Sequence, residues 1–172
     1  KDFDFPVYKS FLDVTDKPDV IIDFSNPAVL DDMLEFAVKN SVPCVICTTG
    51  YSKEQVQKIK NASNKVAVFY SGNMSLGINV LIELAKSAAK VLGGQFDIEI
   101  IEKHHNQKLD APSGTALMIA DGISSELSEE PQYVFDRHTY RKKREKNEIG
   151  ISSIRGGTIV GEHEVIFAGH DE

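Results

Sequence analysis

Short apolar runs alternate with stretches of helical period through the first part of the chain, the signature of βα units laid around a mostly parallel sheet. Residues 19–24, Asp-Val-Ile-Ile-Asp-Phe, predict a buried strand. It ends at Ser25-Asn26-Pro27, where Ser25 or Asn26 can cap and Pro27 suits the first helical turn, because its missing N–H would be an orphan there anyway. Leu30, Met33, Leu34, Ala37 and Val38 then recur on one face, and Asn40 with Pro43 closes that helix. Residues 42–48 predict a second strand with the loop Thr48-Thr49-Gly50 at its carboxyl end. Ser52-Lys53-Glu54-Gln55 has the reciprocal capping-box form, opening a short helix whose apolar face is Val56 and Ile59. Residues 65–70 predict a third strand, followed by Ser71-Gly72-Asn73-Met74. The helix after it turns Ile78, Leu81, Ile82, Ala85, Ala88, Ala89 and Leu92 toward a core. Three successive strands therefore end in small polar loops, the edge at which open α/β sheets bind ligands.

The pattern changes after Gly93-Gly94. Phe96, Ile98 and Ile100 alternate with Asp97, Glu99 and Ile101, the period of a strand with one covered face. A helix over residues 113–127 follows, then a polar, basic stretch, then strands over 149–154 and 158–167 around Gly156-Gly157. A second, α+β domain is expected, with the division at 1–75 and 76–172.

Composition narrows the function classes. At 172 residues, 41% apolar and 26% charged, the chain can bury a core without disulfides or metals, as one ordinary domain or two small ones. With 19 basic and 26 acidic side chains the formal net charge is −7. That argues against a general binder of nucleic acid or anionic membrane, which needs clustered cations. Only Cys44 and Cys47 could form a disulfide, and no apolar segment precedes a small-residue cleavage site. A reducing, cytoplasmic setting is the expectation. The most apolar long stretch, residues 75–92, carries Glu83, Lys86 and Lys90 and is no membrane span. Starting at Lys1 without a methionine and stopping at His170-Asp171-Glu172 inside patterned sequence, the chain reads as a piece of a longer polypeptide.

The chemistry concentrates in residues 102–116, Glu-Lys-His-His-Asn-Gln-Lys-Leu-Asp-Ala-Pro-Ser-Gly-Thr-Ala. Two imidazoles, an ammonium group and a Ser-Gly-Thr helix start share one strand-to-helix connection. Free N–H groups and the positive dipole end make Ser113, Gly114 and Thr115 a seat for a carboxylate or phosphate, beside which Lys108 adds a full charge. Histidine suits a general acid near neutral pH. Adjacent strand residues point to opposite faces, so His104 and His105 should differ in role. On residue types alone another reading stands beside this one, in which the histidines are satisfied loop residues and Ser113 is a plain helix cap.

The ordered string resembles the signature of the dihydrodipicolinate reductase family, also called 4-hydroxy-tetrahydrodipicolinate reductase, of diaminopimelate and lysine biosynthesis. Further similarity lies in Asp23-Phe24-Ser25, Thr48-Thr49-Gly50, Asn73-Met74-Ser75-Leu76-Gly77, Arg155-Gly156-Gly157 and Val160-Gly161-Glu162-His163. The resemblance implies an α/β fold: a partial Rossmann-type dinucleotide-binding domain, then an α+β substrate-binding and oligomerisation domain with a mixed sheet. It places the proton donor on His104 and a catalytic role on Lys108. Substrate contacts fall on His105, Lys108, Ser113, Gly114 and Thr115, and cofactor contacts on Cys47, Thr48, Thr49, Ser71, Gly72, Asn73 and Met74. Cys47 stands where the family commonly has glycine. Ser71-Gly72 and Met74 stand where some members have alanines and phenylalanine. The implied cofactor is NADH or NADPH, the partner a small cyclic dicarboxylate and the assembly a homotetramer, with no metal, nucleic acid or membrane. A Gly-rich first βαβ unit, which would hold the pyrophosphate, does not occur before Asp19. Two other readings are another NAD-linked two-domain dehydrogenase acting on a carboxylate, and a non-catalytic ligand-binding fragment.

Several motifs mislead. Cys44-Val45-Ile46-Cys47 has redox spacing but sits in an apolar strand pattern rather than at a helix start. His163-Glu164 begins like a zinc-protease motif, yet position 167 is Phe. Arg137, Arg141, Lys142, Lys143, Arg144 and Lys146 oppose only Glu145 over residues 137–146. That run reads as a solvated, mobile loop; a sharper reading has one or two of its cations help attract a dianionic substrate by their long-range field.

Overall fold

The computed structural model describes residues 4–172; residues 1–3 of the first expected domain lie outside the described residues. The chain divides into two compact units, the first ending at Gly72 and the second running from Asn73 to Glu172.

In the first unit β1 (Ile21–Asp23), β2 (Cys44–Ile46) and β3 (Val68–Tyr70) form a parallel sheet in that order. Ile21 lies opposite Cys44, and Cys44 opposite Val68. The crossovers are α1 (Leu30–Asn40) and α2 (Lys53–Ala62). Asn26 is the residue that caps, accepting from the Ala28 N–H at 2.9 Å, and Pro27 opens a 3-10 turn ahead of α1. The capping box forms as spaced: Ser52 Oγ accepts from Gln55 N–H, and Gln55 Oε1 accepts from Ser52 N–H. Leu30, Met33, Ala37, Cys44, Ile46 and Ile59 make the core. Both helices cover the face that carries Ile21, Cys44 and Ile46. The strand predicted as buried over 19–24 is therefore covered on one side only, with Ile22 63% exposed, and on β3 Phe69 is likewise 57% exposed.

In the second unit the sheet order is β5-β6-β4-β7, from β4 (Asp97–His104), β5 (Gln132–Val134), β6 (Glu148–Arg155) and β7 (Glu162–Ala168). β5, β6 and β4 run parallel and β7 antiparallel to β4, so the sheet is mixed. α3 (Leu76–Leu92) and α4 (Gly114–Ser124) supply the cover: Ala85, Ala89, Ala116, Ile119 and Ile123 pack with Ile98, Ile100, Ile149 and Ile151. Of the α3 positions expected in the core, only Ala85 and Ala89 are buried, and Leu81 and Ile82 pack at its margin. Here the small side chains let α3 and α4 approach, which leaves the larger ones at the rim.

Three sequence expectations change. β5 lies inside the stretch read as polar and irregular, because Tyr133 and Val134 continue the sheet beyond β6. The last strand begins at Glu162 rather than residue 158, since Gly157 (φ 45°) and Gly161 (φ 152°) carry a turn. The basic run is partly anchored. Arg137 donates to Glu148 and Glu99 at 2.7 Å each, and Arg144 donates to Asp97 at 2.8 Å and Glu99 at 3.1 Å. Glu99 reaches them by lying across Gly150, where a Cβ would sit 1.7 Å from its Oε2. Among the described residues no helix is long and apolar enough to cross a membrane.

Candidate active site

β4 alternates Ile98, Ile100, Glu102 and His104 on the face that packs against the helices, each of them buried. A carboxylate on that face must find donors or remain an uncompensated buried charge. Glu102, fully buried, finds several. Arg155 on β6 donates through both terminal nitrogens at 2.8 Å, one to each carboxylate oxygen. His104 Nδ1 lies 2.6 Å from Oε2, and the Ser113 N–H donates to Oε1 at 3.1 Å. Burial pushes the Glu102 carboxyl up, but the bonds from Arg155, His104, Ser153 and Ser113 outweigh it and hold it at about 2.

The histidine paired with His104 is not its sequence neighbour. His105 leaves the strand, and its carbonyl accepts from Lys108 N–H in the following turn. The ring beside His104 belongs to His163 on β7, edge-on with centroids 5.3 Å apart. His163 Nε2 lies 3.0 Å from Ser113 Oγ. Burial, then the neighbouring His104, lowers the His163 pKa below the ordinary histidine value. On its other edge, His104 Nε2 faces Gly161, where an added Cβ would stand 3.0 Å away.

Ser113 is the N-cap of α4, as its spacing predicts: its Oγ accepts from the Ala116 N–H at 3.1 Å. Its own N–H goes to Glu102 and it is only 2% exposed. The helix start therefore offers outward mainly the N–H groups of Gly114 and Thr115, which precede the first intrahelical bond. Thr115 Oγ1 accepts from Asn73 Nδ2 at 2.9 Å. Lys108 Nζ is paired with Asp110 Oδ1 at 2.8 Å. Burial raises the Asp110 carboxyl, yet Lys108 outweighs it and holds it below the usual range.

Family models for the N-terminus and the C-terminus of dihydrodipicolinate reductase match residues 1–74 and 77–172. The chain belongs to the dihydrodipicolinate reductase family. It is 56% identical over 169 residues to a 4-hydroxy-tetrahydrodipicolinate reductase of Caldanaerobacter subterraneus subsp. tengcongensis, covering 98% of this chain and 67% of that one. Against the enzyme of the same name from Clostridium novyi the identity is 51% over 168 residues, covering 98% and 66%. The chain thus spans about two thirds of the length of these relatives. A solved structure, the dipicolinate-bound dihydrodipicolinate reductase from Paenisporosarcina sp. TG-14, superposes with a TM-score of 0.59 at 30% identity over 90% of this chain and 59% of that chain. The parallel sheet of the first unit is accordingly the Rossmann-type part of a dihydrodipicolinate reductase, and the mixed sheet its C-terminal part.

The residues expected to meet the cofactor divide between the units: Cys47, Thr48, Thr49, Ser71 and Gly72 in the first, Asn73 and Met74 in the second. At the carboxyl ends of β1 and β2, Thr48 is buried and its Oγ1 accepts from Ser25 N–H at 2.8 Å. Asp23, also buried, accepts from Ser25 and from Tyr51 Oη. Thr49 and Gly50 are left exposed, Gly50 with φ 83°. Hydroxyls, amides and backbone N–H groups without a cationic side chain fit the neutral carboxamide and ribose end of a dinucleotide better than its phosphates. Burial, and after it Asp23, raises the thiol pKa of Cys44 and Cys47, which makes both poor thiolates.

The sequence reading gave no role to Glu102, Arg155 or His163, although the resemblance included each in its strings. For Glu102 a signal existed: it lies two residues from His104, hence on the same strand face, in line with two isoleucines.

Proposed function

We propose that this chain carries the substrate site and part of the cofactor site of a 4-hydroxy-tetrahydrodipicolinate reductase in diaminopimelate and lysine biosynthesis. The reaction reduces 4-hydroxy-tetrahydrodipicolinate, or the dihydrodipicolinate formed from it by loss of water, to tetrahydrodipicolinate. The observation that carries the reading is His104, held by a buried carboxylate at Nδ1 with Nε2 against the space left by Gly161. It shares one strand-to-helix connection with Lys108 and the open N–H groups of Gly114 and Thr115.

When bound, NADH or NADPH supplies the hydride to one end of the conjugated C=C–C=N system. The chain's own residues do the rest. His104 holds a proton at Nε2 and gives it to the carbon where negative charge gathers. Lys108 exchanges Asp110 for a substrate carboxylate, and Gly114 and Thr115 donate N–H groups to the same ring substituent, a preorganised set that stabilises developing negative charge. His105 is a further carboxylate contact in this reading. Cys47, Thr48, Thr49, Ser71, Gly72, Asn73 and Met74 seat the nicotinamide end. The setting is a reducing cytoplasm, and the assembly a homotetramer.

Titration calorimetry with pyridine-2,6-dicarboxylate, a planar stand-in for the substrate ring, tests the site. Saturable binding should weaken about 10–100-fold in Lys108→Ala, the loss of one hydrogen bond to a charged group, and should tighten in the presence of NADH. His104→Gln should cut turnover by roughly 10²–10⁴-fold with the fold intact. Equal affinity in wild type and Lys108→Ala, or undiminished turnover in His104→Gln, would defeat the assignment.

A further inference from the structure

Glu102 gives each of its oxygens two donors: Oε2 takes His104 Nδ1 and one arm of Arg155, Oε1 the other arm and the Ser113 N–H. An ionised carboxylate only accepts, so the proton in the 2.6 Å contact sits on His104 Nδ1. The neutral ring is then the tautomer with Nε2 bare, and Nε2 is the atom that faces Gly161. Turning the carboxylate would break all of these bonds together, because both oxygens are doubly engaged. Arg155 is itself fixed on both sides, donating to the carbonyls of Ile154 at 2.8 Å and Asp110 at 2.6 Å. Through the Ser113 N–H the same carboxylate grips the residue that caps α4.

We propose that Glu102, locked by Arg155, is a positioning residue: it fixes His104 as the Nδ1–H tautomer, makes Nε2 the proton-transfer atom, and holds that imidazole in register with the start of α4. The proposal rests on the reading of His104 as the proton donor. Neither Glu102 nor Arg155 need touch the substrate for this role. The general logic is that of any imidazole whose tautomer is set by the bond at its other nitrogen.

Long-range ¹⁵N–¹H spectra of the labelled chain record which ring nitrogen bears the proton. In wild type, the neutral His104 ring should carry its proton on Nδ1. In Glu102→Gln, whose amide can also donate to Nδ1, that signature should be lost. Turnover should then fall by about 10²-fold or more, the contribution of a correctly placed acid or base, while affinity for pyridine-2,6-dicarboxylate changes far less. Glu102→Asp, which keeps the charge, should retain Nδ1 protonation in part.

A wild-type spectrum with the proton on Nε2 overturns the proposal and needs no variant. So does Glu102→Gln that loses the Nδ1 signature at undiminished turnover. If Glu102→Gln fails to fold, Arg155→Lys takes its place, keeping the charge but not the fork. A mixed tautomer is expected there, and an unchanged one overturns the lock. His104→Gln separates the two levels. Turnover lost in it but kept in Glu102→Gln sinks the positioning role alone, whereas turnover kept in both sinks the reductase site.

Discussion

Arg155→Met removes the fork that neutralises a buried carboxylate. Holding Glu102 at about 2 rather than its ordinary 4.5 corresponds to roughly 3 kcal/mol in favour of the charged form in the folded chain. Deleting one partner of a buried ion pair costs about 3–5 kcal/mol, because the other charge stays behind unpaired. His104, Ser153 and Ser113 share in that depression, so Arg155→Met should lower the stability of the second unit by about 3 kcal/mol at pH 7, the lower end of the range for a stranded buried charge. The sign with pH follows. The depressed carboxyl stabilises the fold in full above about 4.5 and loses that contribution as pH falls through about 2. In Arg155→Met the carboxyl rises toward its ordinary value, so the wild-type loss between those two pH values should shrink. Native-state hydrogen exchange of β4 and β6 amides reads this unit separately from the first. The double variant Glu102→Gln with Arg155→Met should lose less than Arg155→Met alone, since no charge is stranded. A loss under about 1 kcal/mol in the single variant, the range of an exposed ion pair, or an acid limb as steep as wild type, would refute the reasoning.

Gly161→Ala forces a side chain into φ 152° and a Cβ to 3.0 Å from His104 Nε2; a strain of about 1–3 kcal/mol should appear in the exchange of β7 amides. Turnover should fall with it, and full activity would show that Nε2 does not work on that side. Ser52→Ala removes the acceptor of the Gln55 N–H and should destabilise α2 by about 1 kcal/mol. Amide exchange in α2 checks this, with β4 amides as the unaffected control.

Much of the local architecture can be read from adjacent residues. The Ser52–Gln55 box and the Ser113 cap are set by side chains within three positions of the groups they satisfy. The difference in role expected for His104 and His105 follows from strand alternation, and the structure does send them to different surroundings. What was not legible depends on register. Arg155 reaches Glu102 because His104 pairs with Arg155 across β4 and β6, and His163 reaches Ser113 because it lies opposite Glu102 on β7. No local pattern contains those pairings. The basic run misleads for a similar reason: Arg137 and Arg144 look solvated until Gly150 lets Glu99 lie across the sheet to meet them. Exposure of Ile22 and Phe69 escaped too, since an apolar run says that a strand can be covered on both faces, not that it is.

The central place of β4 has a consequence for the order of events in synthesis. Contacts within the first unit need at most the sequence up to Gly72, so that unit can collapse while the ribosome is still adding the rest. The second unit cannot finish in this way. His104 emerges early, but the guanidinium that anchors its carboxylate comes 53 residues after Glu102, and the ring that meets Ser113 comes 50 residues after it. Until β6 and β7 arrive on its two sides, β4 is a nascent strand with two bare edges and an unpaired acid on its apolar face. Non-local pairing of this kind is slow to close and exposed to misassociation meanwhile. β4 is therefore complete only once β6 and β7 have both been made, and a chain arrested before Arg155 would hold Glu102 without the guanidinium that pairs with it.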